Sequence, residues 1–451
     1  MASFLQIPSS AHYWLRNSRV PLTLLADQTR RWPLVKAFQQ PGYQEDLVAL
    51  DIEVKDGITV SLQPAKTSDV ADIPTVDVRS GLVWPCFVDM HTHLDKGHIW
   101  PRRANPNGTF DEALEAVRKD STQRWQAEDL YRRMEFGLKC SYAHGTQAVR
   151  THIDAAEAQG ETSFEVFRQL RTAWAEKIHL QAAGLVSLDY YEGPAGEKLA
   201  DLVASSQGIL GGVAYMNPDI KQQIERLFEL AKEKNLDLDL HTDESLDPGE
   251  MTLRYVAEAA IRHRFTGRIT CAHCCSLSVQ SDDEVCRTIE QVKQAGIAIV
   301  SLPMCNLYLQ DRQPDRTPRY RGVTVLHELK AAGVKVAIAS DNCRDPFFAY
   351  GDHDGLEVFT QSARIGHLDH PIADWPRAVT SAPAEMMGLE SLGQIGEGLS
   401  ADIVVFKARS FNELIARGQS DRTVIRQGQQ IDTSLPDYAD LDDLMGPKPT
   451  P

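Results

Sequence analysis

Between about Pro85 and Asp341, short apolar runs alternate with longer stretches in which apolar residues recur every three or four positions. The first pattern fits buried strands and the second fits amphipathic helices. Eight runs are separable: Val83–Met90, Thr146–Thr151, His179–Ser187, Gly212–Met216, Leu236–Leu240, Arg268–Ala272, Ala298–Leu302 and Val334–Ala339. Helices are expected between them over Phe164–Glu176, Lys221–Lys234, Thr252–His263 and Glu284–Ala295. Strands and helices alternating at this spacing make parallel crossover units, and eight such units close most simply into an α/β fold of the (β/α)8 TIM-like barrel type.

The two ends are patterned differently. Residues 12–32 and 47–80 hold short strand-like runs, among them Leu47–Val54 and Ile58–Gln63; the far end holds strand-like residues up to Phe406 and again over Thr423–Arg426. The expected organisation is a barrel over 85–390, with 1–84 and 391–451 meeting as two parts of one small β-domain. The acidic, proline-tipped stretch from Ser434 to Pro451 is expected at the surface.

Composition adds little, but charge narrows the partners. With 42% hydrophobic and 24% charged residues the chain has the make-up of a globular enzyme. A net charge of −16 without clustered Lys and Arg argues against nucleic acid. No window approaches the ~18 apolar residues of a membrane span and no export signal stands out, so a cytoplasmic protein is expected. The remaining partner is a small molecule, and a homo-oligomer stays open. Eight cysteines without a framework spacing fit free thiols.

Candidate chemistry gathers at the ends of four runs. In Cys86-Phe-Val-Asp-Met-His91-Thr-His93-Leu-Asp-Lys96, residues two apart on a strand share a face, so His91 and His93 can aim at one metal. Leu236-Asp-Leu-Asp-Leu-His241-Thr-Asp-Glu244 adds a third nitrogen ligand and a carboxylate able to carry a proton from water to substrate. A helix-capping role suits Glu244 equally. His273 in Thr270-Cys-Ala-His273-Cys-Cys275 could orient or polarise the water, and Asp341 in Val336-Ala-Ile-Ala-Ser-Asp341-Asn342 could supply an oxygen ligand or cap the next helix. Singly each signal is ordinary. Together they fall at the C-terminal ends of runs one, five, six and eight, the face on which barrel enzymes carry their catalytic groups.

Other residues keep two readings. Lys96, His98 and Trp100 can line a pocket or pack a loop, and Phe347 and Phe348 can wall a flat ring or belong to the core. Cys271-X-X-Cys274 lacks the context of a thiolate zinc site.

PCFVDMHTHLDK (85–96) resembles the first-strand signature of the amidohydrolase superfamily. LHTDE (240–244), CAHC (271–274) and ASDN (339–342) resemble its fifth-, sixth- and eighth-strand sites, and GQIGEGLSADIVVF (393–406) its return strand in a small β-domain. The resemblance spans about 81–407. Within the superfamily the likeness is to bacterial cytosine deaminases, carried by Val149-Arg-Thr-His-Ile-Asp154, His241-Thr-Asp-Glu244, Cys305-Asn-Leu-Tyr-Leu-Gln-Asp-Arg312 and Pro318-Arg-Tyr-Arg-Gly-Val-Thr324.

This resemblance implies one divalent transition metal, Zn²⁺ or Fe²⁺, on His91, His93, His241 and Asp341, with Glu244 as proton shuttle and His273 against water or substrate. Two-metal members bridge their ions with a lysine after the fourth strand; Gly211–Met216 ends in none, which implies a mononuclear site. The implied reaction releases ammonia from an amino-substituted nitrogen heterocycle, a pyrimidine, pterin or triazine. Loss of an alkylamine, cleavage of a ring amide, or a metal-free scaffold are the alternatives. Gln310 is implied in the substrate pocket. The glutamine that reads the pyrimidine edge is missing from Val186-Ser-Leu-Asp-Tyr-Tyr-Glu192, where Asp189 is the candidate reader, and Asn342 stands in place of a second aspartate.

Overall fold

Eight short parallel strands organise the centre of the chain in the computed structural model, which describes residues 4–40, 43–65 and 72–446. They are β1 (Phe87–Thr92), β2 (Thr146–Asp154), β3 (His179–Leu185), β4 (Leu210–Ala214), β5 (Leu238–Thr242), β6 (Ile269–His273), β7 (Ala298–Ser301) and β8 (Val336–Ile338). β1–β3 form one sheet and β4–β8 a second. Isolated parallel bridges, Ala183 to Ile209 and Thr92 to Asp341, join the two sheets at both seams, so the strands run in a closed ring. Burial along both faces explains why these strands read as apolar runs rather than as alternating ones.

Crossover helices bury one stripe each. In Ile220–Lys234 that stripe is Ile220, Ile224, Leu227, Phe228 and Ala231. In Thr252–His263 it is Leu253, Val256, Ala257 and Ala260. Local chemistry sets the ends: Ser281 Oγ accepts from Glu284 N at the start of Asp282–Ala295, and Gly296 closes that helix at φ +68°. A left-handed C-terminal residue favours glycine because no Cβ clashes there.

The chain divides into two compact units. One comprises Met1–Val88, Cys140–Gln147 and Asp354–Leu435; the other comprises Asp89–Lys139, Ala148–His353 and Pro436–Pro451. In the first unit, a four-stranded sheet built on His12–Pro21, Leu47–Lys55, Ile58–Pro64 and Thr75–Asp77 shares a core with the sheet that contains Val83–Pro85, Ile403–Val405 and Thr423–Arg426.

Three boundaries differ from the sequence reading. The run Val83–Met90 is two strands: Val83–Pro85 pairs antiparallel with Ile403–Val405, and β1 starts at Phe87. Periodicity cannot show such a break, because both pieces are fully buried. Secondly, the helix Gly355–Gly366, expected in the barrel, groups with the first unit. Its Phe359 meets the Trp84 ring at 5.3 Å, and Phe406 and Phe411 close around the same indole at 6.1 and 6.0 Å. Thirdly, the acidic tail groups with the second unit: Arg132 Nη1 pairs with Asp443 Oδ2 at 2.6 Å, and Tyr438 stacks on Phe136. Among the described residues no helix is long and apolar enough to cross a membrane, and all eight cysteines are free thiols.

Candidate active site

Strand geometry brings the candidate residues together. His91 lies on β1 and His93 just beyond it; Asp239 and His241 lie two apart around β5, and His273 ends β6. Just past these strands the backbone turns sharply: Asp243, His273, Cys274 and Asp341 have φ of 49, 70, 51 and 62°. Non-glycine residues adopt that region at a cost, most often where function requires it. Asp341 is anchored beside β1 by its N–H to His91 O (2.8 Å) and by Thr92 Oγ1 donating to its carbonyl (2.8 Å).

The side chains then converge. Asp341 Oδ1 lies 3.5 Å from His91 Nε2 and 3.3 Å from His93 Nε2, and His241 Nε2 lies 3.4 Å from His93 Nε2. The His241 and His273 rings are 4.9 Å apart. Glu244 Oε1 stands 3.2 Å from His273 Nδ1, and Asn306 Nδ2 is 3.0 Å from the same nitrogen. The capping roles left open for Glu244 and Asp341 fall to neighbours. Asp243 Oδ1 accepts from Thr252 N (2.7 Å), and Asp354 Oδ1 accepts from Leu356 N (2.9 Å).

Electrostatics separate the two acids. Burial, with the Asp341 charge beside it, lifts the Glu244 carboxyl well above the usual range, while Lys96 works in the opposite sense. Burial also opposes ionisation of Asp341, but the close imidazoles of His91 and His93, 3.5 and 3.3 Å away, prevail and hold it well below its ordinary value. Burial pushes His93 and His241 well below the normal imidazole range, and His273 down to about 3, so all three are neutral at pH 7. Neutral imidazole and ionised carboxylate are the forms that ligate metals.

The buried polar atoms here fit such an ion. His91 Nδ1 and Nε2, His93 Nδ1, His241 Nδ1 and both Asp341 carboxylate oxygens have no hydrogen-bond partner. A fully buried group left unpaired costs about 1–3 kcal/mol, and a folded core does not assemble several in one place unless a ligand meets them. The nitrogen and oxygen donors suit Zn²⁺ or Fe²⁺ without selecting between them.

Sequence reasoning missed part of the set. The His152 ring on β2 lies tilted with its centre 3.9 Å from that of His91, and its nitrogens group with those of His91 and His93. Asp239 pairs with His152 at 3.2 Å and with Arg150 at 2.7 Å, which draws its pKa to about 2 despite burial. The signal was spacing: Arg150, His152 and Asp154 alternate on one strand, and Asp239 shares a face with His241.

A cavity of about 880 Å³ opens over the cluster, lined by His93, His241, Glu244, His273 and Asp341. Lys96, Asn342 and Phe347 also line it, with Lys96 Nζ 2.8 Å from Asp154 Oδ1 and 5.5 Å from the Phe347 ring centre. Two proposed substrate contacts lie elsewhere. Asp189 is exposed on a turn, bonded to Ser187 Oγ, and faces a separate hollow with Tyr215, Asn217 and Gln223. Gln310 Nε2 donates to the Glu244 carbonyl at 3.0 Å, so it supports the backbone of Glu244. His98 is buried against Phe136, and Phe348 packs on Tyr308 and Tyr350.

A closed parallel barrel with a buried His and Asp cluster at the C-terminal strand ends defines a metal-dependent barrel hydrolase. Residues 135–432 match the amidohydrolase family, and the chain belongs to it. It is 49% identical over 445 residues to a pterin deaminase of Rhizobium rhizogenes, covering 98% of this chain and 99% of that one. It is 24% identical over 371 residues to the N-isopropylammelide isopropyl amidohydrolase of a Pseudomonas species, covering 79% and 87%. The fold matches the crystal structure of a Klebsiella pneumoniae 5-methylcytosine deaminase with 5-fluorocytosine at a TM-score of 0.79 and 23% identity, covering 93% of this chain and 97% of that one.

Proposed function

We propose that the chain is a hydrolytic deaminase that replaces the exocyclic amino group of a pterin-like ring by oxygen and releases ammonia. One observation carries this reading: Glu244, a carboxyl raised in pKa, stands 3.2 Å from His273 in the cavity that His93, His241 and Asp341 also line. The pterin deaminase relative supports the choice of ring. One divalent ion, Zn²⁺ or Fe²⁺, would be held by His91, His93, His241 and Asp341. When bound it supplies a Lewis acid that makes water nucleophilic near neutral pH.

The protein groups then divide the proton traffic. Ionised Asp341 accepts a hydrogen bond from the attacking water and so aims its oxygen at the amino-bearing carbon. Protonated Glu244 gives its proton to the adjacent ring nitrogen and, as the carboxylate, takes one proton from the attacking water. His273, kept neutral by burial and held by Asn306, lies where a donor can meet the new carbon–oxygen bond. The second water proton passes to the amino nitrogen, the carbon–nitrogen bond breaks, and a ring carbonyl and ammonia result. Phe347 offers a flat wall for the ring, and Lys96 and Asp154 offer a donor and an acceptor to its edge. Cytoplasmic location belongs to the same reading, checked by cell fractionation.

The test is ammonia release by metal-loaded protein offered pterin, cytosine and an N-alkylated aminotriazine. Pterin should be turned over fastest. Release of alkylamine from the triazine with no ammonia from any ring would overturn the assignment.

A further inference from the structure

A second group of metal-ligating side chains lies outside the catalytic cluster. His98, Cys343 and His353 are 2, 1 and 3% exposed, and their ligand atoms all lie within 4.8 Å of one another. Neither ring nitrogen of His98 has a hydrogen-bond partner. A buried imidazole with both nitrogens unpaired calls for a ligand. Its ring is packed edge-on against Phe136 at 4.7 Å and sits 5.7 Å from the His353 ring, so it cannot swing out to water.

The backbone holds the three together. His98 N donates to Cys343 O (3.1 Å), and Trp100 N donates to Arg344 O (2.9 Å). His98, Arg344 and His353 all take left-handed φ, at 63, 51 and 54°. Two strained loops are therefore pinned across each other where a thiol meets two imidazoles. The nearby cations are engaged elsewhere: Arg133 is bonded to Asp129 at 2.7 Å, and Arg344 lies over the Tyr438 ring at 4.1 Å.

We infer that His98, Cys343 and His353 form a second, structural metal site for a zinc-class ion, distinct from the catalytic centre. Two imidazoles and a sulfur suit zinc, whereas the nitrogen and oxygen cluster at the barrel mouth contains no sulfur. On binding, the Cys343 thiol loses its proton to solvent and the sulfur bonds the ion. The ion ties the loop after β1 to the loop after β8. Those loops carry Lys96 on one side and Asn342 and Phe347 on the other, all lining the catalytic cavity. Thr92 connects the two places, since its Oγ1 donates to the Asp341 carbonyl and lies 3.5 Å from His353 Nδ1.

The sulfur makes the site separately visible. Full-length protein freed of metal and loaded with Co²⁺ should show a near-ultraviolet thiolate-to-cobalt absorption in addition to the weak visible bands of a nitrogen and oxygen site. Cys343→Ser should abolish the thiolate absorption, keep the visible bands and lose one equivalent of metal. His241→Ala should do the reverse. Should Cys343→Ser fail to fold, His98→Gln keeps the sulfur and should weaken Co²⁺ binding at this site by about 10-fold or more, the scale for removing one ligand or its support. Absence of the thiolate absorption from the wild type, its survival in Cys343→Ser, or Co²⁺ binding at this site in His98→Gln as tight as in the wild type overturns the inference. Because the readout needs no substrate, failure to deaminate pterin leaves it standing.

Discussion

The Asp354 region and the barrel mouth both bury charge, and they treat it in opposite ways. In the first unit Arg422 grips Asp354 with two hydrogen bonds of 2.7 and 2.6 Å, and Arg426 meets Asp402 at 3.0 Å. Both acids have a counter-charge, and Asp354 titrates near 2 because Arg422 outweighs the cost of burial. At the mouth, His91, His93, His241 and Asp341 are just as buried, yet six of their eight ring-nitrogen and carboxylate-oxygen atoms are left over. The barrel unit can satisfy charge elsewhere, since Arg102 and Arg133 share Asp129 within it. The unpaired atoms are therefore a property of the site. The contrast separates polar groups that hold the fold from polar groups reserved for a ligand.

Four substitutions test that distinction, in falling order of effect. His241→Ala should abolish activity and remove the catalytic equivalent of metal while the protein stays folded, as judged by its circular dichroism. Full metal occupancy in that variant would mean that the unpaired atoms are not ligands. Glu244→Gln should keep its metal and bind a ring inhibitor, but lose roughly two orders of magnitude or more in kcat, the usual scale for an acid–base group. Metal content and kcat are to be measured on one preparation; turnover within about threefold of wild type would remove Glu244 from the proton path.

Arg422→Met exchanges the effect from activity to stability. It strands a buried carboxylate and should cost about 3–5 kcal/mol in denaturant unfolding at pH 7, with kcat of the folded fraction unchanged. The pH dependence has a definite sign. Asp354 sits near 2 when folded, below the ordinary aspartate value of 3.8, so the pair stabilises the wild type above about pH 4 and that contribution is lost as pH falls through 2. In the variant the stranded carboxylate titrates upward, so acid relieves it, and the deficit should narrow between pH 5 and pH 3. A deficit that widens would show that Asp354 is not the group left behind. The smallest effect belongs to Asp189→Asn, expected to leave kcat/KM for each ring within about twofold because Asp189 faces the separate hollow. A changed substrate ranking would restore it as a reader of the ring.

Much of this was legible one strand at a time. β6 ends at His273, one residue past the expected run, and the helix Thr252–His263 has the bounds that its periodicity suggested. His91 and His93 share a face by strand geometry alone. His152 and Asp239 were not legible as partners: each looks like an ordinary strand residue, and only the barrel brings them within 3.2 Å. Asp189 illustrates the converse, since its position in the chain pointed to a ring-reading role and the short 3-10 helix Leu188–Glu192 leaves it exposed.

Sequence alone determined the alternation of strand and helix, the positions of the metal-ligating residue types at strand ends, and the family likeness, because these depend on periodicity and spacing within single elements. Tertiary structure decided which unit claims Gly355–Gly366, which aspartates cap helices, and which buried atoms are left without partners. Those outcomes depend on atoms distant in the chain. Whether a buried histidine is paired is a fact about its neighbours, and periodicity within one element carries no information about them.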